Sequence, residues 1–290
     1  MYHEFLSVLL FAKTSIYITN LSNYRETIVS RDTPKRVSPI LIQTQHPQSL
    51  SMFSIHELRS APYSQDIQKW FLMWSISFLF LRNILFRSKT ADFSNRFVSI
   101  VHALIAIYLS YESFESIDSK MFDKVGTKNT SAQTYCMAVS LSYFIYDCLY
   151  CIVTFEFDAV VHHIFTIGGL TSGVVNQKSG VELVGCLFLM EVSNPSLHLR
   201  SLLREMRMKD SMFSTLNDLL FAVLFLVCRL VLGPPLVYKT LTCKNSDLLV
   251  KFGAFGILAV SLLWGWKIVK MFISKAKRLL GMETRKKKRA

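Results

Sequence analysis

Two adjacent histidines, His162 and His163, stand in the stretch Asp158 to Gly169, which is otherwise apolar. An ionisable side chain at membrane depth is costly to keep, so it is first a candidate functional group. Neighbours on a helix project about 100° apart, so only one of the two can face a given site. His162 shares its face with Thr166, at i+4. Glu191, Asn194 and His198 follow at i, i+3, i+7 and also share one helix face. Pro195 removes a backbone donor among them and is expected to kink that helix, freeing a carbonyl near the cluster. Asp147, one turn after Tyr143, could orient a histidine and raise its basicity. That arrangement suits a general base or an activated nucleophile. The candidate catalytic residues are therefore His162, His163 and Asp147. The candidate lipid-binding residues are His102, Tyr143, Thr166, Glu191, Asn194, His198 and Arg229. The same groups could instead form a polar network that fixes helix register.

The elements that must carry these residues are spans. The chain is 51% hydrophobic and 18% charged, with mean hydropathy +0.33, against about 25% charged in a soluble domain. Its apolar residues fall in blocks of roughly 17–25, enough to cross ~30 Å of hydrocarbon. Seven spans are expected, at about 69–86, 97–115, 133–154, 158–175, 181–200, 217–239 and 248–272. The fold class is an all-α, polytopic helix bundle around a lipid cavity. Residues 1–62 read as a poorly ordered leader, with Met52 a plausible internal start, and residues 5–18 as a marginal interfacial segment. Residues 63–275 form the transmembrane domain and 276–290 a basic tail. No signal peptide is expected at Met1 to Tyr17. Trp70, Trp74, Trp264 and Trp266 sit near span ends, where indole favours the headgroup zone.

Lys and Arg orient the bundle. Lys275, Lys277, Arg278 and the residues from Arg285 to Arg289 place the tail in the cytosol, as do Arg200, Arg204, Arg207 and Lys209 their loop. Loop 116–132, with the sequon Asn129-Thr130-Ser131, comes out lumenal. His102, Asp147 and His162 then lie within roughly 6–11 Å of the cytosolic surface. The net charge of +13 is divided between loops and tail, so no nucleic-acid partner is expected. Six cysteines, mostly inside the spans, read as packing residues. Seven histidines with one adjacent pair lack metal-ligand spacing, so no metal site is expected. No Gly-rich phosphate loop or nucleophile elbow occurs. No cofactor is expected, with acyl-CoA a possible substrate.

Phe97 to Ala103, Tyr143 to Asp147, Phe157-Asp158 leading to His162-His163, and Leu189 to Pro195 together resemble the TLC-domain family. That family groups translocon-associated, longevity-assurance and ceroid lipofuscinosis membrane proteins. The likeness covers roughly 65–275 and is closest to its small members that are not ceramide synthases. Ceramide synthases carry a His pair followed by His-Asp-x-x-Asp. Here His162 and His163 match the pair, while Met190, Glu191 and Asn194 stand at the later positions. The resemblance implies a lipid protein of the endoplasmic reticulum membrane. Lys287 and Lys288, third and fourth from the carboxyl end, resemble a dilysine retrieval signal read by coat proteins; a basic tail meeting anionic lipid is the plainer alternative.

The expected function is binding or handling of lipid or fatty-acyl groups in a cytosol-facing intramembrane cavity, for lipid homeostasis, with membrane lipids as partners. Arg229 would pair with Glu191 or meet a lipid phosphate. One alternative is a ceramide-synthase-like, acyl-CoA-dependent acyltransferase using the His pair. Another is a non-catalytic trafficking or translocon-associated protein.

Overall fold

The computed structural model describes residues 63–114 and 123–279. The leader, Met52 and the Lys287-Lys288 tail lie outside the described residues. Apart from one isolated bridge between Lys128 and Lys178, the regular structure described is helical. Helix α1 (Ser64–Phe80) runs on through a π-helical turn, Leu81–Leu85; α2 is Ala91–Glu112, α3 Ser131–Val153 and α4 Phe157–Asn176. Helices α5 (Gly180–Glu191) and α6 (Asn194–Glu205) form one broken rod. Helices α7 (Met212–Phe225) and α8 (Gly233–Thr242) are joined by a π-helical stretch, Leu226–Leu232, and α9 is Leu248–Leu279. These make seven rods at the seven expected positions. Four stretches, Ala91–Glu112, Ser131–Val153, Met212–Thr242 and Leu248–Ser274, are long and apolar enough to cross a membrane. The chain is an all-α membrane bundle.

Local chemistry sets the helix starts. The Thr90 hydroxyl accepts from Phe93 N, and Thr130 forms a reciprocal capping box with Gln133, which satisfies backbone donors left open at a helix start. Helix α3 is the axle: 72% of its most apolar window is buried, with Met137, Leu141, Phe144 and Tyr146 against Trp74, Phe78 and Val98. Outward, Leu72, Ile76, Leu104, Ile164, Leu220 and Leu263 are exposed, as a lipid-facing belt requires. Helices α4 and α9 approach closely because Gly253 has no side chain: a Cβ there would lie 3.1 Å from the Phe165 carbonyl.

The tryptophans correct one expectation. Trp74 is buried, and its indole N–H donates to Ser142 Oγ at 3.3 Å. Trp264 is half-buried against His162. Trp266 is 62% exposed, with Lys270 over its ring. The helical period decides this, because Trp264 and Trp266 project to different faces of α9.

Charged groups collect at the two ends. One end, here the Arg96 end, holds Arg96 with Asp92 and Glu156, Arg200 with Asp218, and Lys267 with Asp158. The opposite, Asp247 end holds Lys178 with Asp247, and the Glu182 carboxylate accepting from Gly126 N and Ser246 Oγ. At this end the sequon is turned inward. Asn129 Nδ2 donates to the Gly173 carbonyl at 2.8 Å and its Oδ1 is buried. An attached glycan would displace that contact. Asn129 is therefore expected to carry no sugar in the folded protein, and amidase deglycosylation should leave the gel mobility unchanged; a downward shift would refute the placement.

Candidate functional site

The polar cluster divides into two groups. In the first, α2, α3 and α4 bring together Asn95, Tyr146, Asp147 and His163. Tyr146 O–H donates to Asn95 Oδ1 at 2.7 Å, Asn95 Nδ2 donates to Asp147 Oδ1 at 2.9 Å, and His163 Nε2 lies 3.5 Å from Asp147 Oδ2. The last distance is ion-pair reach rather than a tight hydrogen bond. Asp147 thus orients His163 and not its neighbour.

The second group is built by the two helix breaks. Pro195 cannot donate to the turn before it, and the α5–α6 rod opens at Val192–Ser193. With the rod broken there, the buried Met190 carbonyl accepts from Arg229 Nη2 at 2.6 Å; the carbonyl that Pro195 itself leaves without a donor is that of Glu191, one residue on. Arg229 sits in the π-helical stretch and also donates to Asn194 Oδ1 at 2.8 Å. Asn194 Nδ2 in turn donates to Glu191 Oε2 at 2.9 Å. Arg229 therefore meets Glu191 through Asn194, correcting the direct pair expected from sequence. Glu191 Oε2 also lies 3.9 Å from His102 Nδ1. His102 stacks on Tyr143, centroids 3.7 Å apart and nearly parallel, and Tyr143 O–H donates to Ser99 Oγ at 2.8 Å. His198 is buried on α6, its Nδ1 without a partner among the described residues.

His162 faces elsewhere. Its ring packs 5.3 Å from Trp264, and it lines a slot between α4, α5, α8 and α9 with Thr166, Met190, Arg229, Ala254 and Ser261. The Thr166 hydroxyl donates to the His162 carbonyl at 3.0 Å and is occupied by the backbone. The slot runs from His162 and Arg229 towards Glu182, Thr240 and Val250. A second space, a vestibule at the Arg96 end, is bounded by Arg96, Glu156, Asp158, Arg200 and Lys267. Phe225 and Trp264 also line it, and they stand against Arg229 and His162 respectively. The centre of a water-sized sphere has about 630 Å³ in the vestibule but about 50 Å³ in the slot. The slot therefore suits a slender apolar chain and the vestibule a hydrated group.

Asp147, Cys151 and His163 place possible ligand atoms within 4.8 Å of one another. The metal-free expectation rested on sequence spacing, which misses a set completed across two helices. Asp147 and Cys151 are i, i+4 on α3, and His163 comes from α4. Such a trio could hold one divalent ion with an open position.

Sequence reasoning overlooked Asn95, Ser99 and Tyr146. Asn95, Ser99 and His102 repeat at i, i+4, i+7, a polar face that is visible once the second span begins at Ala91 rather than at 97. Phe225, Trp264 and Cys151 gave no such signal.

A bundle of this kind, with charged ends, an apolar belt and a buried polar cluster, is a multi-pass membrane protein. The family model of the TLC domain matches residues 92–270, and the chain belongs to that family. It is similar to TLC domain-containing protein 4 A of Dictyostelium discoideum, at 21% identity over 197 residues covering 63% of this chain and 75% of the relative.

Proposed function

We propose that this protein binds a lipid acyl chain in the slot and serves lipid homeostasis in the endoplasmic reticulum membrane. The observation that carries the reading is a narrow apolar slot that begins at a buried polar cluster. Along α9 it extends from Ser261 to Val250, roughly 16 Å at ~1.5 Å per residue. The basic loops orient the vestibule and the carboxyl tail toward the cytosol, so a ligand enters through the charged mouth. Lys287 and Lys288 supply the retrieval signal that a coat protein reads.

The His163–Asp147 pair favours a second reading, acyl transfer with His163 as general base. It would use acyl-CoA held in the vestibule. His162 lines the slot but stands outside this pair, and the acceptor chemistry has no counterpart at Met190 and Asn194.

Native mass spectrometry of the purified protein tests binding. One acyl lipid per chain is expected to survive detergent exchange. Formation of the acylated amine or phospholipid, with release of one free CoA thiol per acyl group transferred, on adding acyl-CoA and an amine or lysolipid would favour transfer. An empty protein under both conditions would count against both readings.

A further inference from the structure

We infer that the slot takes its ligand as a free, ionised fatty acid, with the carboxylate at Arg229 and the chain directed toward Thr240 and Val250. This rests on the acyl-chain reading above and adds the charge and direction of the ligand.

Arg229 is 3% exposed and lines the slot. A guanidinium has five N–H donors. Nη2 is used on Met190 O and Asn194 Oδ1. Nε and Nη1, carrying the other three, have no partner among the described residues. Leaving such donors dry is expensive, and in a nearly apolar slot the remedy is an anion brought in with the ligand. A carboxylate is the best match, since a charged acceptor forms a hydrogen bond roughly twice as strong as a neutral carbonyl does. His162 lines the same part of the slot and has its own unpartnered Nδ1. In the tautomer that carries its N–H on Nδ1, His162 offers a second donor.

The protein has also fixed this cation in place. The guanidinium lies over the Phe225 ring at 4.9 Å. Two departures from regular helix, the α5–α6 break and the Leu226–Leu232 stretch, converge on it. Such interruptions are tolerated in a membrane where freed backbone groups find new partners or line a cavity. Glu191 is already engaged by Asn194 and His102, so it does not occupy the free edge of Arg229.

Direction follows from the opposite end of the slot. There the Glu182 carboxylate, held by Gly126 N at 3.1 Å and Ser246 Oγ at 2.9 Å, lines the wall. It repels a second carboxylate, so the head stays at Arg229 and the methyl end lies toward Glu182. A methyl ester or an alcohol of the same chain fills the slot equally well but brings no charge.

The test compares lauric acid, its methyl ester and lauryl alcohol on the purified full chain in nanodiscs, at a pH where the acid is ionised. Wild type is expected to bind the acid at least tenfold tighter than either neutral analogue, and in Arg229→Gln that ratio should fall toward one with ester affinity unchanged. Should Arg229→Gln fail to fold, the wild-type ratio still decides, together with a terminal-diazirine lauric acid whose photolabel should map near Thr240 and Val250. Equal binding of acid and ester by wild type, an unchanged ratio in Arg229→Gln, or a label on Phe225 and Trp264 would overturn the inference. Equal binding leaves the acyl-chain slot standing. Binding of none of the three removes the slot reading as well.

Discussion

Replacing Asn95 with leucine should cost the folded bundle about 2–5 kcal/mol, because it orphans two buried groups at once. Asn95 is 2% exposed, takes the Tyr146 hydroxyl and gives its amide to Asp147. Leucine fills nearly the same volume, so cavity formation is minor and the lost partners dominate. The Tyr146 hydroxyl loses its acceptor, and the Asp147 carboxylate keeps only His163 at 3.5 Å. Single hydrogen bonds within membrane bundles average near 0.6 kcal/mol, but a buried carboxylate left with one long contact costs beyond that mean. Reversible unfolding in mixed micelles reads the loss. Adding Tyr146→Phe should then recover part of it, since the two sites share one network. A loss under about 1 kcal/mol would mean that these groups are satisfied some other way.

Ala254→Trp should empty the protein of lipid. Ala254 lines the slot away from the histidines, where the slot is narrow. An indole there blocks the slot, so the acyl lipid that native mass spectrometry is expected to count on the wild type should drop at least tenfold. Stability should change little, because the added side chain enters existing space rather than a filled core. His163→Ala is the contrast. It removes the partner of Asp147 without touching the slot wall, and lipid should remain. If Ala254→Trp still carries its full complement, the bound lipid rides on the outer belt instead.

How far the sequence could see depended on the distance over which each feature is encoded. The seven rods fell where the apolar runs of the sequence place them, four of those stretches having the full length and hydropathy of a span. The Pro195 break was legible because a missing N–H is a property of one residue; that Arg229 would take the Met190 carbonyl beside the break was not. The histidine pair showed that one ring must turn from the other, but not which would find Asp147. The direct Arg229–Glu191 pair was anticipated on charge alone, whereas Asn194 has the donor and the acceptor to stand between them. Trp74 was assigned to the headgroups by its place near a span end. Its burial follows from the neighbours supplied by α2 and α3. The division into vestibule and slot depends on five rods meeting, and no local pattern records it.

The inward amide of Asn129 has a practical corollary for mapping the membrane sidedness of this chain. A bare sequon here carries no information on compartment, since the Gly173 carbonyl holds its amide whichever side the turn faces. The native reporter is Cys243, a partly exposed thiol in the turn after α8. Burial raises its pKa, but hydrogen bonds from Ser246 and from the backbone of Asn245 and Ser246 outweigh that and hold it below the ordinary thiol value. A thiol so poised reacts readily with maleimides, so the unmodified sequence supplies its own compass for intact and permeabilised microsomes.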